Sequence, residues 1–482
     1  MQRYLNLMKE AKTWVDAHRE DLIRELQAWA RIPSVSRADL AAPGMPFGPD
    51  CRKMLDFAME RGAAYGYQVQ DHEGCACSIT MGDGENAIGM IAHLDVVPVG
   101  DGWIFPPYEA TYLPEYDVMI GRGVSDNKGP AIMGLFAMEF LREKGYPLKH
   151  GLTLLCGTSE ETGMQDMQML LDHGMRFPKV SLVQDASFPV NYGQKGSIDG
   201  TLTFPASGNL LTFDAGSVRN VIPDLAECVV ALPADVVRAA FDQLSEELTA
   251  PVTITAQGEH TRISASGRAG HAAFPAGSAN AILHLTRALS AAGILEGDCA
   301  NAIRQIADLT SDPYGQSEGV AYHDEMSGDL TLVYGVAHLR DGVLSLSVDC
   351  RSSITCDGEK LEADLRADWT RRGAEVIKLE RTAPFYIPKD DPRVVALQAL
   401  YQEATGRDDE PYTMGGGTYS RVVPNAISFG PGMPGQKPDR SAYLPEGHGS
   451  AHGRDETVDI ENLCVGCAIY AAALAALDDL TD

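Results

Sequence analysis

Apolar positions recur at helical spacing from Met1 to about Ala30, where Leu22, Leu26 and Trp29 follow Trp14 and Val15. The pattern stops at Ile32-Pro33-Ser34, because a residue before proline is driven out of helical conformation. A second helix is predicted from about Cys51 to Ala64. Strand-like and helical runs then alternate as far as Asp185. They include a strand over Ala87–His93, a helix over Gly129–Lys144 and a strand over Leu152–Cys156. Such alternation predicts an α/β sheet with helices on both faces.

Beyond Asp185 the texture changes. Glycine, serine and threonine rise, and short alternating segments appear over Ile198–Phe204, Glu227–Leu232, Val252–Gln257, Arg262–Ala265 and Leu344–Asp349. Helical patterns at Ala279–Ala292 and Glu359–Arg371 lie between them. From about Pro384 the opening style returns, with a helix over Pro392–Thr405, a glycine-rich loop and an alanine-rich helix from Ile460. The expected organisation is a catalytic domain, residues 1–190 and 384–482, interrupted by an inserted α+β domain, residues 191–383.

A chain of 482 residues is too long for one ordinary core, and its 44% hydrophobic and 22% charged residues are those of a folded protein. No apolar run is expected to be long enough to cross a bilayer, and the first ten residues lack a signal peptide's apolar core. Cytoplasmic localisation is the expectation. The formal net charge of −28 disfavours nucleic acid and anionic membranes as partners. Ten cysteines in such a chain are expected to be reduced. A four-thiolate site from Cys75, Cys77, Cys464 and Cys467 is conceivable by composition, but the second pair falls in an apolar helical stretch where buried cysteine is ordinary core.

Charge of one sign at strand ends changes the picture more. Glu160 and Glu161 follow the apolar run Gly151–Cys156, and a parallel strand delivers functional side chains at its carboxyl end. An exposed Glu-Glu alone is usually solvated surface. However, His93-Leu94-Asp95 ends another apolar strand, Asp185 ends a third, and Asp126 stands at a strand-to-helix turn. His93 and Asp95, two apart on an extended segment, point the same way, so Asp95 can orient the imidazole. Asp126 read alone is as readily a helix N-cap. The loop around it has neither Gly-x-Gly-x-x-Gly nor Gly-Lys-Ser/Thr, so it is no phosphate cradle. A second imidazole can come from His448 or His452, before the last helix. Two imidazoles and three acids suit two zinc-like ions, with one acid left as base. A water bridged between two metals yields hydroxide near neutral pH, and a nearby carboxylate shuttles its proton. No Gly-x-Ser-x-Gly elbow competes.

Seven ordered segments resemble the zinc aminopeptidase-like metallopeptidases that include carnosinases, aminoacylase and carboxypeptidase G. They are HLDVVPVGDGW (93–103), GRGVSDNKGP (121–130), GTSEETG (157–163), QDASFP (184–189), GRAGHAAFP (267–275), GGGTYSR (415–421) and AHGRDE (451–456). The likeness is greatest to the bacterial dipeptidase V, or Xaa-His dipeptidase, branch. It implies a mixed sheet flanked by helices with an inserted α+β lid, and two divalent ions, Zn2+ foremost with Mn2+ or Co2+ as substitutes. It implies metal ligation by His93, Asp126, Glu161, Asp185 and His452, the last preferred over His448 because it lies in AHGRDE. Asp95 would orient His93 and Glu160 would be the general base. His271 and Asn220 would stabilise the oxyanion. Arg351, the loop at Gly416 and, more weakly, Arg421 would hold the substrate's terminal carboxylate. Two departures stand out: Ser420 where alanine is common, and Asn127 where a second aspartate is common.

The expected function is dinuclear metal-dependent hydrolysis of short unblocked dipeptides, Xaa-His or β-alanyl types among them, through a metal-bridged hydroxide. The alternatives are an N-acyl-amino-acid amidohydrolase of the same fold and, further off, a non-catalytic peptide-binding protein. An insert that supplies His271 in cis makes a self-sufficient monomer the expectation, with a homodimer also compatible.

Overall fold

Ala87–His93, apolar throughout, has every residue buried and forms a central strand, as expected where both sheet faces are covered. The computed structural model to which it belongs describes residues 1–435 and 439–482. The chain forms two units, one of Met1–Tyr192, Ile387–Tyr412 and Gly417–Asp482, the other of Gly193–Tyr386 and Thr413–Gly416.

In the first unit Gly151–Gly157, Ala87–His93, Ser181–Val183 and Ala426–Phe429 lie side by side in parallel. The antiparallel strands Ala76–Met81 and Gln68–His72 extend one edge, and Val190 and Asn191 pair antiparallel with Ala426–Phe429 beyond the other. Parallel pairing brings the carboxyl ends of the three strands that lead to His93, Glu160 and Asp185 to one side of the sheet. The helix Lys128–Lys144 is buried from Lys128 to Leu141 and ends at Gly145, whose left-handed φ of 63° closes it.

The opening segment is two helices, Gln2–Ala17 and Arg19–Ala30. They part at His18, whose ring stacks on Trp14 at 4.1 Å and whose Nδ1 bonds the Trp14 carbonyl. The last helix, Ile460–Leu480, corrects one expectation: by length and composition it is apolar enough to cross a membrane. Alanines and cysteines interrupt its Ile, Leu and Val residues, so the span is less conspicuous than a continuous aliphatic run. It packs instead against Gln2–Ala17, Lys128–Lys144 and Pro392–Thr405, and 83% of its apolar window is buried. A helix apolar all round is the core helix of its unit. The ten cysteines are free, and among the described residues no group of three potential metal ligands contains more than one of them.

The second unit is an antiparallel sheet in the order Val252–Gln257, His260–Ser266, Leu225–Val230, Leu210–Ala215, Ala337–Arg340, Val343–Ser352, Gly196–Pro205 and Glu375–Thr382. Burial alternates along Gly196–Pro205 and much of Val343–Ser352, so one face is core. The helices Ala281–Ala292, Asp298–Leu309 and Gly358–Arg371 contribute Leu285, Ile306 and Trp369 to that core, beside Leu202, Phe213, Ile263 and Leu346.

Candidate metal centre

Asp126 stands between two imidazoles. Its Oδ1 lies 2.9 Å from His93 Nε2 and its Oδ2 3.0 Å from His452 Nε2. His452 Nε2 also lies 2.8 Å from Glu161 Oε1, and His93 Nε2 lies 3.9 Å from Asp185 Oδ1. Potential ligand atoms of His93, Asp126 and Glu161 fall within 4.8 Å of one another, as do those of His93, Glu160 and Asp185. Six of the residues singled out in the sequence are therefore gathered at one place in the first unit. His448 is elsewhere engaged, its Nδ1 2.5 Å from Asp455 Oδ2.

Asp95, fully buried, differs in detail from the expectation. The His93 Nδ1 partner at 2.9 Å is the Asp95 backbone carbonyl, and the nearer carboxylate oxygen is 3.4 Å away. The carboxylate instead accepts the Glu160 and Glu161 backbone N–H groups at 3.2 and 3.1 Å. One residue thus fixes both the tautomer of His93 and the turn that presents the two glutamates.

Other supports escaped the sequence reading. Glu456, fully buried, pairs with Arg122 at 2.7 Å and accepts the backbone N–H groups of Gly123, Ser125 and Asp126 at 2.8–3.0 Å. Asp166 Oδ2 accepts the Thr158 and Ser159 N–H groups and the Tyr419 hydroxyl, at 2.7, 2.9 and 2.6 Å. Gly157 is required there, since a Cβ would fall 2.1 Å from the Tyr419 oxygen and 2.3 Å from Asp166 Oδ2. Asn127 donates to the Gln184 carbonyl and to Asp185 Oδ1, and accepts the His93 N–H. An aspartate there could not donate to another carboxylate.

Crowding of acids shapes the electrostatics. Burial, then the Asp185 charge, pushes the Glu160 carboxyl well above its usual range, with His93 opposing. Burial pushes Asp185 up to about 7, again against His93. Asp126 goes the other way: burial would raise it, but hydrogen bonds from His452 and His93 bring it far down. Bonds to Asp126 and Glu161 push His452 up to about 11. His93, which burial alone would lower, is raised by Asp126 and Asp95. Acids driven toward neutrality beside imidazoles driven toward protonation mark a site short of positive charge. Its nitrogen and carboxylate donors fit divalent cations of the zinc type.

The second unit holds the remaining predicted residues apart from Arg421. Val221 pairs with His271, and the Ala272 N–H bonds the Asn220 carbonyl at 2.9 Å, so Asn220 and His271 are neighbours. His271 Nδ1 accepts the Ala273 N–H at 3.1 Å, which puts the proton of the neutral ring on Nε2. Gly415, next to Gly416, abuts Ala273, where a Cβ would approach to 2.7 Å. Arg351 gives its Nε and Nη2 to the buried Asp349, both at 2.7 Å, so part of its fork is already used. Arg421 belongs to the first unit, in the short helical turn Tyr419–Arg421, against Gly417.

Comparison with known proteins adds four findings. A family model described as Peptidase family M20/M25/M40 matches residues 89–476. Among curated relatives, "Putative dipeptidase YtjP" of Bacillus subtilis is 28% identical over 466 residues, covering 95% of this chain and 97% of its own. Among solved structures, human carnosine dipeptidase 1 aligns with a TM-score of 0.56 at 14% identity, covering 98% of this chain and all of that one. Aminoacylhistidine dipeptidase from Vibrio alginolyticus aligns at 0.53 and 13%, covering 96% of each chain. At these identities the structural likenesses establish the shared fold.

Proposed function

The chain belongs to peptidase family M20/M25/M40 and is a metallopeptidase of dipeptidase type, and from that premise we propose that it hydrolyses short unblocked dipeptides, Xaa-His and β-alanyl types among them, at a two-metal centre. The observation that carries this reading is Asp126, with one oxygen toward His93 and the other toward His452. His93 with Asp185 would hold one cation and His452 with Glu161 the other, with Asp126 shared. Bound there, two cations supply Lewis acidity to the peptide carbonyl and acidify the attacking water. Zn2+ suits the donor set best, and Mn2+ or Co2+ can substitute.

The chain's own residues do the rest. Glu160 takes the proton of the attacking water and returns it to the leaving amine. His271, with its proton on Nε2, and Asn220 donate to the developing oxyanion. Arg351 and the loop at Gly416 receive the substrate's terminal carboxylate, with Arg421 in a supporting part. The second unit, on this reading, carries the substrate-binding residues His271, Asn220, Arg351 and Gly416.

Free dipeptides and N-acetyl amino acids, assayed with each metal, test the proposal. Turnover of free dipeptides such as carnosine or Ala-His is expected. Cleavage confined to acetylated amino acids would replace the proposal with a deacylase.

A further inference from the structure

A cavity of about 350 Å³ lies within the first unit, and Asp126 and Asp185 form part of its wall. Ser187, Asp459 and Asn462 line it too, and Arg440 is the one basic residue among its described lining residues. The arginine is held in place by its packing. At Gly449, whose φ is +94°, a Cβ would fall 2.7 Å from Arg440 Cδ and 2.8 Å from Nη1. Only glycine admits the arginine stem so close. The guanidinium Nε is buried and has no hydrogen-bond partner.

This is unusual in a chain with 67 acidic and 39 basic residues. Arg52, Arg122 and Arg421 also have an unbonded buried Nε, and Arg52 and Arg122 are paired with carboxylates through their other nitrogens. Among the described residues Arg440 has no carboxylate within ion-pair distance. Asp459, at the N-cap of the last helix, and Tyr443 are the titratable groups that feel its charge. A buried donor without a partner is costly, and a guanidinium fork matches a carboxylate.

Resting on the dipeptidase reading above, we propose that Arg440 receives the side-chain carboxylate of the substrate residue whose carbonyl is attacked, so that N-terminal aspartyl and glutamyl dipeptides are a favoured class. The cavity wall includes two of the proposed metal ligands, Asp126 and Asp185, which puts the cavity beside the proposed centre. The substrate's terminal carboxylate has its own proposed partners, Arg351 and the Gly416 loop. That leaves Arg440 for an acid carried on a side chain.

The test measures kcat/KM of the zinc-loaded full chain for Asp-Ala, Glu-Ala, Ala-Ala and Ala-Asp, in the wild type, Arg440→Ala and Arg440→Lys. The wild type is expected to prefer Asp-Ala and Glu-Ala over Ala-Ala. Arg440→Ala should cut that preference at least about tenfold, and Arg440→Lys should keep part of it. Calorimetric affinity of Asp-Ala for Glu160→Gln, with and without Arg440→Ala, should show the same loss without turnover. A preference unchanged by Arg440→Ala overturns the assignment, as does an Arg440 effect that falls on Ala-Asp. If the alanine variant does not fold, full wild-type preference in Arg440→Lys overturns it as well. Hydrolysis of Ala-Ala with no acidic preference sinks this inference alone, whereas failure on every free dipeptide sinks the dipeptidase reading.

Discussion

Asp95 serves two purposes that a sequence can only half reveal. Its place two residues after His93 led to the expectation that its carboxylate meets the imidazole, but the 2.9 Å partner of His93 Nδ1 is its backbone carbonyl. That its carboxylate caps the Glu160 and Glu161 N–H groups was not legible, since those partners lie 65 and 66 residues away. The same holds for Glu456, whose bond to the Asp126 N–H spans 330 residues. Residues that end apolar strands announce themselves; residues that hold a loop from across the fold do not. Asp95→Asn places an amide where two N–H donors converge. We expect metal affinity to fall about 10–100-fold, read by metal titration, together with a loss of turnover. Unchanged affinity and turnover would contradict the part given to the carboxylate in holding that turn.

At the scale of elements, buried strands and capped helices were the readable ones. Pro392–Thr405 has the bounds that its pattern predicts, with Asp391 capping the Arg393 N–H and proline at the first position. Glu375–Thr382 was not foreseen because most of its residues are exposed, and an edge strand with little to bury shows no alternation. The turn that carries Glu160 depends on Asp166, which burial pushes up to about 6 from an ordinary 3.8, with Tyr419 and backbone donors opposing. An acid whose folded pKa is raised binds its proton more tightly in the native state. Its contribution to stability is therefore full below about pH 4 and is lost as pH rises through about 6. The stability advantage of the wild type over Asp166→Asn should shrink by up to about 3 kcal/mol between pH 4 and 7. Thermal melts across that range check it, and a pH-independent difference would count against the raised pKa.

For the whole molecule, the change of texture after Asp185 and its reversal near Pro384 led to the expectation of a domain inserted over residues 191–383. The return of Thr413–Gly416 to the second unit had no such mark, because four residues carry no period. The last helix shows the limit of reading hydropathy by eye: its length and composition would suit a membrane, yet its neighbours in the first unit bury it. Since the same chain carries both the metal centre and His271, one copy is proposed to be sufficient. Specific activity should stay constant on dilution through any subunit dissociation followed by sedimentation. A fall in step with dissociation would show that a second copy completes the site.

The division of labour between Glu160 and Glu161 is the centre of the account, and Glu160→Gln tests it most directly when metal content and turnover are measured on the same sample. The variant should keep two metal equivalents while kcat falls by about 10²–10⁴. Turnover retained at the wild-type level, or loss of metal from the variant, would contradict the role of Glu160 as the base beside a centre that Glu161 helps to hold.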